Sequence, residues 1–229
     1  MFSKDQLEYT QLPLPDRQTL DDAEMLRRAE DYRDFMSKRH TVRDYTTQPV
    51  DQSVIKACVA AAGTAPSGAN HQPWHFVAIS DLAIKKQIRQ AAEEEERRFH
   101  AGGASDEWIK ALEPIGTNAD KPHLEDAPWL IVVFAQRYGM FDDGTRYKNY
   151  YVPESVGIAT GMLLTALHMA GLATLTHTPN PMKFLGELLG RPDSEKATMI
   201  ITIGHPSADA TIPAVAKMKK QLSDIMTLL

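Results

Sequence analysis

The feature that most constrains the fold of this chain is an uninterrupted apolar run at residues 129–134, with the sequence WLIVVF. Neighbouring side chains of a β-strand point to opposite faces of a sheet, so a strand without polar side chains must be buried on both faces. We therefore expect 129–134 to be a central strand, with helices above and below its sheet. Residues 74–79, 173–178 and 199–203 are predicted as further strands.

Helical segments alternate with these strands. Residues 22–38 and 82–100 have the spacing or charge pattern of helices, and residues 154–171 are apolar nearly all round. The alternation predicts an α+β (α/β layered) domain, with a mixed sheet flanked by helices. Because 154–171 lacks a polar face and 206–229 has little core of its own, we expect an intertwined homodimer; a monomer with frayed ends is the alternative.

Capping residues predict where some of the helices begin and end. Asp51 or Ser53 is expected to cap the N terminus of a helix that Gly63 terminates in the left-handed conformation. A later helix is expected to start at the Asn-Pro pair 180–181 and to stop at Gly190.

The length of 229 residues and the hydrophobic content of 43% fit a single domain, 1–229. Within it we predict a polar leader (1–21), a substrate lid (about 93–126) and a C-terminal arm (about 206–229). The lid is predicted because 101–126 is polar and contains glycines around one short apolar helix. The acidic run EEEE, the first four residues of the lid, is expected to be exposed.

Charge and composition exclude several classes of function. The formal net charge of -5, without a long basic run, argues against a nucleic-acid partner. No apolar run approaches the roughly 20 residues that cross a bilayer, and the polar start does not resemble a signal peptide, so we expect a cytoplasmic protein without a membrane partner. The single cysteine excludes an internal disulfide, and the eight histidines include no pair at zinc-site spacing, so no metal is expected.

A loop of small residues at 63–74, with the sequence GTAPSGANHQPW, indicates a ligand site. Glycine and alanine let a flat ligand approach the main chain closely, while Pro66 and Pro73 fix the path of the loop. A planar ring is the ligand that such a surface suits.

A second candidate site is the segment 39–43, with the sequence RHTVR. In an extended chain Arg39, Thr41 and Arg43 share one side, and two guanidinium groups with a hydroxyl offer paired donors to phosphate oxygens. The alternative is that these basic residues only complement the C-terminal dipole of the preceding helix. The residues alone leave both interpretations open.

These two motifs, together with the late basic residue Lys219, resemble the FMN-binding pattern of the nitroreductase superfamily. From about residue 30 to the C terminus, the chain resembles one family within it, the iodotyrosine deiodinases. The motifs that carry this resemblance are TAPSGA at 64–69, EEEE at 93–96, TN at 117–118, LGRP at 189–192 and DIM at 224–226. The resemblance implies a flavoprotein oxidoreductase that holds FMN at the interface of a homodimer.

The resemblance also implies which residues contact FMN. They are Arg39, His40, Thr41, Arg43, Pro66, Ser67, Gly68, Thr176, Thr178 and Lys219. Thr178 matches a hydroxyl near flavin N5, which would direct the flavin to single-electron steps, and is the candidate catalytic residue. On residues alone, Thr178 could equally cap the turn after a strand. Lys219 stands where the family commonly has arginine, and lysine binds phosphate as a point charge without a fork.

An amino-acid substrate is implied by the same resemblance. Glu96 would accept a hydrogen bond from its ammonium group, Lys121 would hold its carboxylate, and the backbone amide of Ala69 would meet its phenolate oxygen. The family has a tyrosine four residues after that glutamate, where this chain has His100, so the reach of this contact differs. Without the resemblance, Glu96 and Lys121 are typical of solvated surface charges.

The implied activity is FMN-dependent reductive dehalogenation of 3-iodotyrosine and other halotyrosines to tyrosine and halide. One alternative is an NAD(P)H-dependent nitroreductase or quinone reductase of broad specificity, which needs no clamp for a zwitterion. Another is a non-catalytic protein that binds flavin or halotyrosine. The sequence leaves open the physiological halogen, the proton donor, and whether NAD(P)H or a flavin-reducing partner supplies the electrons.

Overall fold

The computed structural model describes residues 9–229, so the first eight residues of the predicted leader lie outside the described residues. The helices of the described part are α1 (Asp22–Ser37), α2 (Gln52–Gly63), α3 (Leu82–Arg98), α4 (Asp106–Leu112), α5 (His123–Asp126), α6 (Val152–Met169) and α7 (Phe184–Leu188). Its strands are β1 (Trp74–Ile79), β2 (Trp129–Gln136), β3 (Tyr138–Met140), β4 (Arg146–Lys148), β5 (Ala173–His177) and β6 (Glu195–Gly204).

The main sheet has the strand order β1-β2-β6-β5, and each neighbouring pair is antiparallel. A parallel bridge between Thr41 and Thr174 adds the segment 39–43 beside β5 and makes the sheet mixed. β3 and β4 form a separate hairpin. The predicted central strand at 129–134 is therefore confirmed, because β2 lies between β1 and β6.

The two faces of β2 build two separate halves of the core. Ile131 and Val133 pack with α2 and α6 on one face, whereas Leu130, Val132 and Phe134 pack with α3, α5 and α7 on the other. All five side chains are fully buried. The predicted burial of this strand on both faces, with helices on each side, is confirmed.

The predicted end of α2 is wrong. Asp51 caps its N terminus as expected, since its carboxylate accepts a hydrogen bond from the Ser53 amide at 2.7 Å. Gly63, however, is the last helical residue and is not among the residues with positive φ. Thr64 ends the helix at a φ of -84°, and its hydroxyl donates to the Ala61 carbonyl at 2.8 Å. This closure of the last turn needs no left-handed residue.

The helix predicted to start at 180–181 is α7, which begins only at Phe184. Met182 packs against the core below the sheet before the helix starts, and Leu185 then anchors α7 in the same core. The predicted stop is confirmed, because Gly190 has a φ of +60° and the Arg191 amide donates to the Gly186 carbonyl at 2.8 Å.

The expectation that the acidic run is exposed is wrong for three of its four residues. The side chain of Glu94 is 48% exposed, whereas those of Glu93, Glu95 and Glu96 are only 14%, 17% and 15% exposed. The reason is that the C-terminal part of α3 packs against α5 and the residues before it. Most of the run therefore faces the protein.

Apolar surface remains uncovered on α1, α6 and the C-terminal arm. α1 buries none of its residues, and α6, predicted to be buried, still leaves Ile158 46% exposed. Met218, Leu222 and Ile225 of the C-terminal arm are exposed as well. Within residues 9–229, no helix has the length and apolar character needed to span a membrane.

Candidate active site

A cavity of about 210 Å³ lies where the lid meets the end of β5. Its walls come from the segment 39–43, the C-terminal end of α3, the lid residues up to α5, and the strand end after Leu175. The predicted site residues that line it are Arg43, Glu96, Lys121, Thr176 and Thr178. Four segments far apart in sequence thus meet at one place.

Main-chain hydrogen bonds hold the segment 39–43 at this cavity. The Val42 amide donates to the Thr174 carbonyl at 3.1 Å, and Thr41 forms the parallel bridge to the same residue of β5. Arg43 is half-buried, and burial lowers the pKa of its guanidinium. Within residues 9–229 no carboxylate lies within ion-pair distance of Arg43, and only a longer-range interaction with Asp44 offsets its positive charge.

Glu96 and Lys121 form a buried ion pair in the cavity wall. Lys121 Nζ lies 3.3 Å from Glu96 Oε2 and donates to Thr117 Oγ1 at 3.0 Å and to the Asn118 carbonyl. Lys121 is only 2% exposed, and such a charge is costly unless it is paired. His100 Nε2 lies 3.7 Å from the same oxygen of Glu96. The structure therefore brings together three residues predicted to bind substrate.

The end of β5 presents different side chains to its two sides. Thr176 and Thr178 are exposed and line the cavity, while His177 between them is buried. Strand alternation accounts for the difference in exposure, since neighbouring side chains point to opposite faces. His177 nevertheless also contributes to the cavity wall. The two threonine hydroxyls stand where a cavity ligand would contact them.

His177 packs against His123, a pair that the sequence analysis did not identify. Their ring centroids are 5.8 Å apart, and both residues line the cavity. Burial, with smaller contributions from Lys121 and Arg43, lowers the pKa of His123 to about 4. Burial, with smaller contributions from His123, Lys121 and Arg43, lowers the pKa of His177 to about 3. The sequence signal for this pair was a histidine between two threonines at the end of a predicted strand. Its partner could not be found in this way, because His123 is more than 50 residues away in sequence.

The other predicted phosphate contacts lie outside the cavity wall. Arg39 lines a separate groove of about 580 Å³ between α1 and α6, together with Met36 and Met162. His40 is half-buried beside it, and Lys219 is exposed in the C-terminal arm. In a single chain these residues are therefore not assembled with Arg43, and their roles stay predictions.

The small-residue loop lies apart from the cavity as well. None of Pro66, Ser67, Gly68 and Ala69 is among the lining residues of the cavity that the described chain contains. The Gly68 amide instead donates to Ser155 Oγ at 3.3 Å, at the start of α6. A Cβ on Gly68 would lie 2.6 Å from the backbone oxygen of Tyr150, so only glycine fits there.

The same loop holds a strained backbone. Ala69, Asn70 and Gln72 have φ values of 50°, 54° and 50°, in the left-handed region that side chains disfavour. The Gln72 amide donates to Ser67 Oγ at 2.9 Å, which helps to hold this conformation. Strained backbone of this kind concentrates at ligand sites. Pro66 and Ala69 are exposed, so the loop offers its surface outward.

Comparison with known proteins assigns the class to which this fold and site belong. The Nitroreductase family model matches residues 36–205, and the chain belongs to this family. It is 49% identical to an iodotyrosine deiodinase of Haliscomenobacter hydrossis over 86% of the chain and 89% of that protein. It is 41% identical to an iodotyrosine deiodinase of Nematostella vectensis over 90% of the chain and 77% of that protein.

A solved structure agrees with these relatives. The crystal structure of an oxidized iodotyrosine deiodinase bound to FMN and 3-iodo-L-tyrosine superposes with a TM-score of 0.70 and 29% sequence identity. The match covers 77% of this chain and 90% of that one. The predicted resemblance to the iodotyrosine deiodinases and the predicted α+β fold of the nitroreductases are thereby confirmed.

Proposed function

We propose that the protein is an FMN-dependent oxidoreductase that removes iodide from 3-iodotyrosine, and halide from other halotyrosines, to give tyrosine. The names of its relatives and the ligands of the superposed crystal structure support this proposal. The observation that carries it is the buried Glu96–Lys121 pair in the wall of the cavity, with His100 beside it. A reductase for flat, uncharged acceptors has no need of two opposite charges at this place.

The ion pair is matched to the backbone charges of an amino acid. The ammonium group would take Glu96 as its acceptor, and the carboxylate would take Lys121 as its donor. Since a zwitterion carries both charges, each residue exchanges one opposite charge for another when the substrate enters, and neither is left buried and unpaired. His100 can donate a further hydrogen bond to the carboxylate.

The residues present fit FMN. Arg43 offers to an anionic or carbonyl group a guanidinium for which the described residues provide no ion-pair partner. Thr176 at the end of β5 and Thr178 just after it offer hydroxyls, and the loop exposes Pro66 and Ala69 to a planar ring. When bound, FMN supplies the two electrons of the reduction in single steps. Thr178 is proposed to donate its hydroxyl hydrogen bond to flavin N5, and Ala69 to donate its amide to the phenolate oxygen of the substrate.

A homodimer would complete this site. In one chain the loop at 63–74 and the cavity are separate, and α1, α6 and the C-terminal arm all carry uncovered apolar surface. A groove of about 850 Å³ along α6, lined by Val156 and Leu164, adds to this surface. A second copy that covers α6 would bring its own loop and Lys219 towards the cavity.

The lid over 93–126 is proposed to close over the bound ring. Phe99 and Trp108 stack edge to face at 4.9 Å, and both line the cavity. The electron source, NAD(P)H or a flavin-reducing partner, stays open, and location in the cytoplasm stays a prediction.

The test is turnover by the purified protein. We expect a yellow protein that, once reduced with dithionite under anaerobic conditions, releases iodide from 3-iodotyrosine far faster than it reduces nitroaromatics. Glu96→Gln should lower kcat/KM for 3-iodotyrosine about 100-fold, which corresponds to losing a buried charged hydrogen bond. Glu94→Gln is the matched control, because Glu94 belongs to the same acidic run but is exposed. Equal rates for both variants would contradict the clamp, and a colourless protein that takes up no FMN would contradict the function.

The dimer is tested separately by sedimentation. Ile158→Glu on the uncovered face of α6 should produce monomers that lose FMN. Leu82→Glu, at a more exposed apolar residue on α3 (68% against 46% for Ile158), should stay dimeric and yellow. A wild-type protein that sediments as a monomer yet turns over would overturn the shared site.

A further inference from the structure

A stripe of charged side chains on α3 faces the end of the lid. Lys85, Arg89, Glu93 and Glu96 lie on one face of the helix, since each follows the last by three or four residues. Glu96 belongs to the proposed substrate site, but the other three have no role in the proposed chemistry. Lys85 is 2% exposed and the side chain of Glu93 is 14% exposed. Charges at such depth need partners, so their partners indicate what the stripe holds.

The first two side chains of the stripe anchor α5. Lys85 Nζ donates to the Glu125 carbonyl at 2.9 Å and to the Ala127 carbonyl at 2.7 Å. The guanidinium of Arg89 lies 3.2 Å from the carboxylate of Glu125 and 2.8 Å from that of Glu93. The chain that follows Lys121 is therefore fixed to α3.

Glu93 holds Lys121 itself. Its Oε1 atom accepts a hydrogen bond from the Lys121 backbone amide at 2.8 Å, and Arg89 Nε donates to the same oxygen. Burial opposes the charge on Glu93, but these two hydrogen bonds lower the pKa of its carboxyl below the ordinary value, so the acceptor is ionised at neutral pH. The main chain of Lys121 is thus tied to one turn of α3, and its ammonium group is tied to the next turn at Glu96.

These two attachments of Lys121 differ in what a substrate does to them. In the proposed site, Lys121 exchanges Glu96 for the carboxylate of the amino acid, so the attachment of its side chain to α3 is lost. The hydrogen bond from its backbone amide to Glu93 does not use the ammonium group and stays in place. This bond fixes the start of the lysine side chain while Nζ changes partners, which lowers the ordering cost of binding.

We propose that Glu93 is a positioning residue for recognition of the substrate carboxylate, and that it acts by holding Lys121 through its backbone amide. The proposal rests on the proposed function for the identity of the ligand. Glu93 lies outside the set of described residues that line the cavity, so it acts on the substrate only through Lys121. Loss of Glu93 should therefore weaken binding of a ligand with a carboxylate, but not of the same ligand without one.

Binding to the FMN-loaded protein tests this with two ligands, 3-iodotyrosine and its carboxamide, in which a neutral amide replaces the carboxylate. Quenching of flavin fluorescence measures both affinities without turnover. Glu93→Ala should weaken binding of 3-iodotyrosine about tenfold, as expected for a hydrogen bond to a charged group, and should leave the affinity for the carboxamide unchanged. An equal loss for both ligands would indicate general damage to the fold and overturn the proposal, as would no loss for either.

Two further variants separate position from charge. Glu93→Gln keeps a carbonyl oxygen for the Lys121 amide without the negative charge, so it should retain most of the affinity for 3-iodotyrosine. Glu94→Ala is the matched control, because Glu94 is the next residue of the acidic run but is 48% exposed and pairs with Arg97. It should bind both ligands as the wild-type protein does. A glutamine variant as weak as the alanine variant would contradict a role through the backbone amide.

Hydrogen exchange of the purified protein without substrate tests the contact itself. Mass spectrometry of peptides that contain Lys121 should show faster amide exchange in Glu93→Ala and wild-type exchange in Glu93→Gln. Unchanged exchange in the alanine variant would overturn the proposal even in an active deiodinase. A wild-type protein that binds neither ligand would refute the proposed function, whereas faster exchange in Glu93→Ala would still support Glu93 as the residue that positions Lys121.

Discussion

The cavity under the lid and the small-residue loop differ in how completely one chain builds them. In the cavity, the buried Lys121 is paired with the half-buried Glu96, so both charges have defined partners within the same chain. In the loop, Pro66 and Ala69 are exposed, and the backbone at Ala69 is in the left-handed region with a φ of 50°. The charges of the cavity are thus satisfied within one folded chain, whereas the loop presents an exposed surface that a ligand or a second chain could contact.

This difference predicts which properties of the protein substitutions in each region should change. Changes in the cavity must disturb buried charges, so they should affect the free energy of unfolding as well as substrate binding. Changes in the loop should act mainly on FMN binding and on assembly, because few core contacts depend on it. The predictions below test this division, in order of decreasing effect.

The largest effect is expected for Lys121→Met, which strands Glu96 in the cavity wall. Removing one partner of a buried ion pair costs about 3–5 kcal/mol. We expect a loss of that order in urea unfolding and a fall of at least about 100-fold in kcat/KM. Lys110→Met on α4 is the control, since Lys110 is exposed. A loss below about 1 kcal/mol in the free energy of unfolding would contradict the claim that the cavity, unlike the loop, contributes to stability through its buried charges.

Acid should destabilise the cavity through its histidines. The folded-state pKa values of about 4 for His123 and about 3 for His177 lie below the unfolded value of 6.5, so the unfolded chain binds more protons. Stability should therefore fall as the pH drops from about 6.5 towards 4, by up to about 1.4 kcal/mol per pH unit for each ring. Urea unfolding measured between these pH values should flatten in His123→Phe. An equally steep slope in that variant would contradict the assignment.

In the loop, Gly68→Ala should weaken FMN binding about tenfold. The added methyl would sit 2.6 Å from the Tyr150 carbonyl, so the loop must shift by a cost of about 1–3 kcal/mol. Fluorescence titration with FMN measures the effect. Gly63→Ala is the matched control, because a Cβ there meets nothing within 4 Å and the site is helical, so that variant should gain roughly 0.5–1 kcal/mol. Similar affinities for the two variants would remove the argument for close approach at Gly68.

The smallest effect is expected for His100→Tyr, which supplies the phenol hydroxyl found at this position in the family. An added hydrogen bond is worth about 1 kcal/mol, so KM for 3-iodotyrosine should fall about fivefold. His100→Phe lacks the hydroxyl and should show no such gain. If both variants bind substrate equally, this position contributes through packing alone.

Much of the architecture could be predicted from local patterns. Residues 129–134 could hardly be other than a central strand, and the Asp51 cap and the Gly190 stop follow from residue chemistry at helix ends. The end of α2 could not be predicted, because a threonine hydroxyl closed the turn where glycine was expected to do so. Capping rules fail at a helix end when either of two neighbouring residues can satisfy the last backbone carbonyls.

The site was predicted in parts. The resemblance pointed to Glu96, His100 and Lys121, and the fold brings them together, although their roles stay predictions. The burial of the acidic run and the contact of His123 with His177 depend on how α3, α5 and β5 pack against one another. No local pattern encodes such contacts. The separation of the loop from the cavity likewise depends on the path of the whole chain.

The pairing of segment 39–43 with β5 has a consequence for how FMN is proposed to be held. Thr174, which bridges to Thr41, lies in β5, and Thr178 is the residue directly after that strand, so the two are four residues apart, a span of roughly 13 Å in extended chain. The segment that carries Arg43 and the hydroxyl of Thr178, both proposed to contact FMN, are therefore both positioned by β5. Movement of the lid can therefore open or close the cavity while the distance between segment 39–43 and Thr178 stays constant.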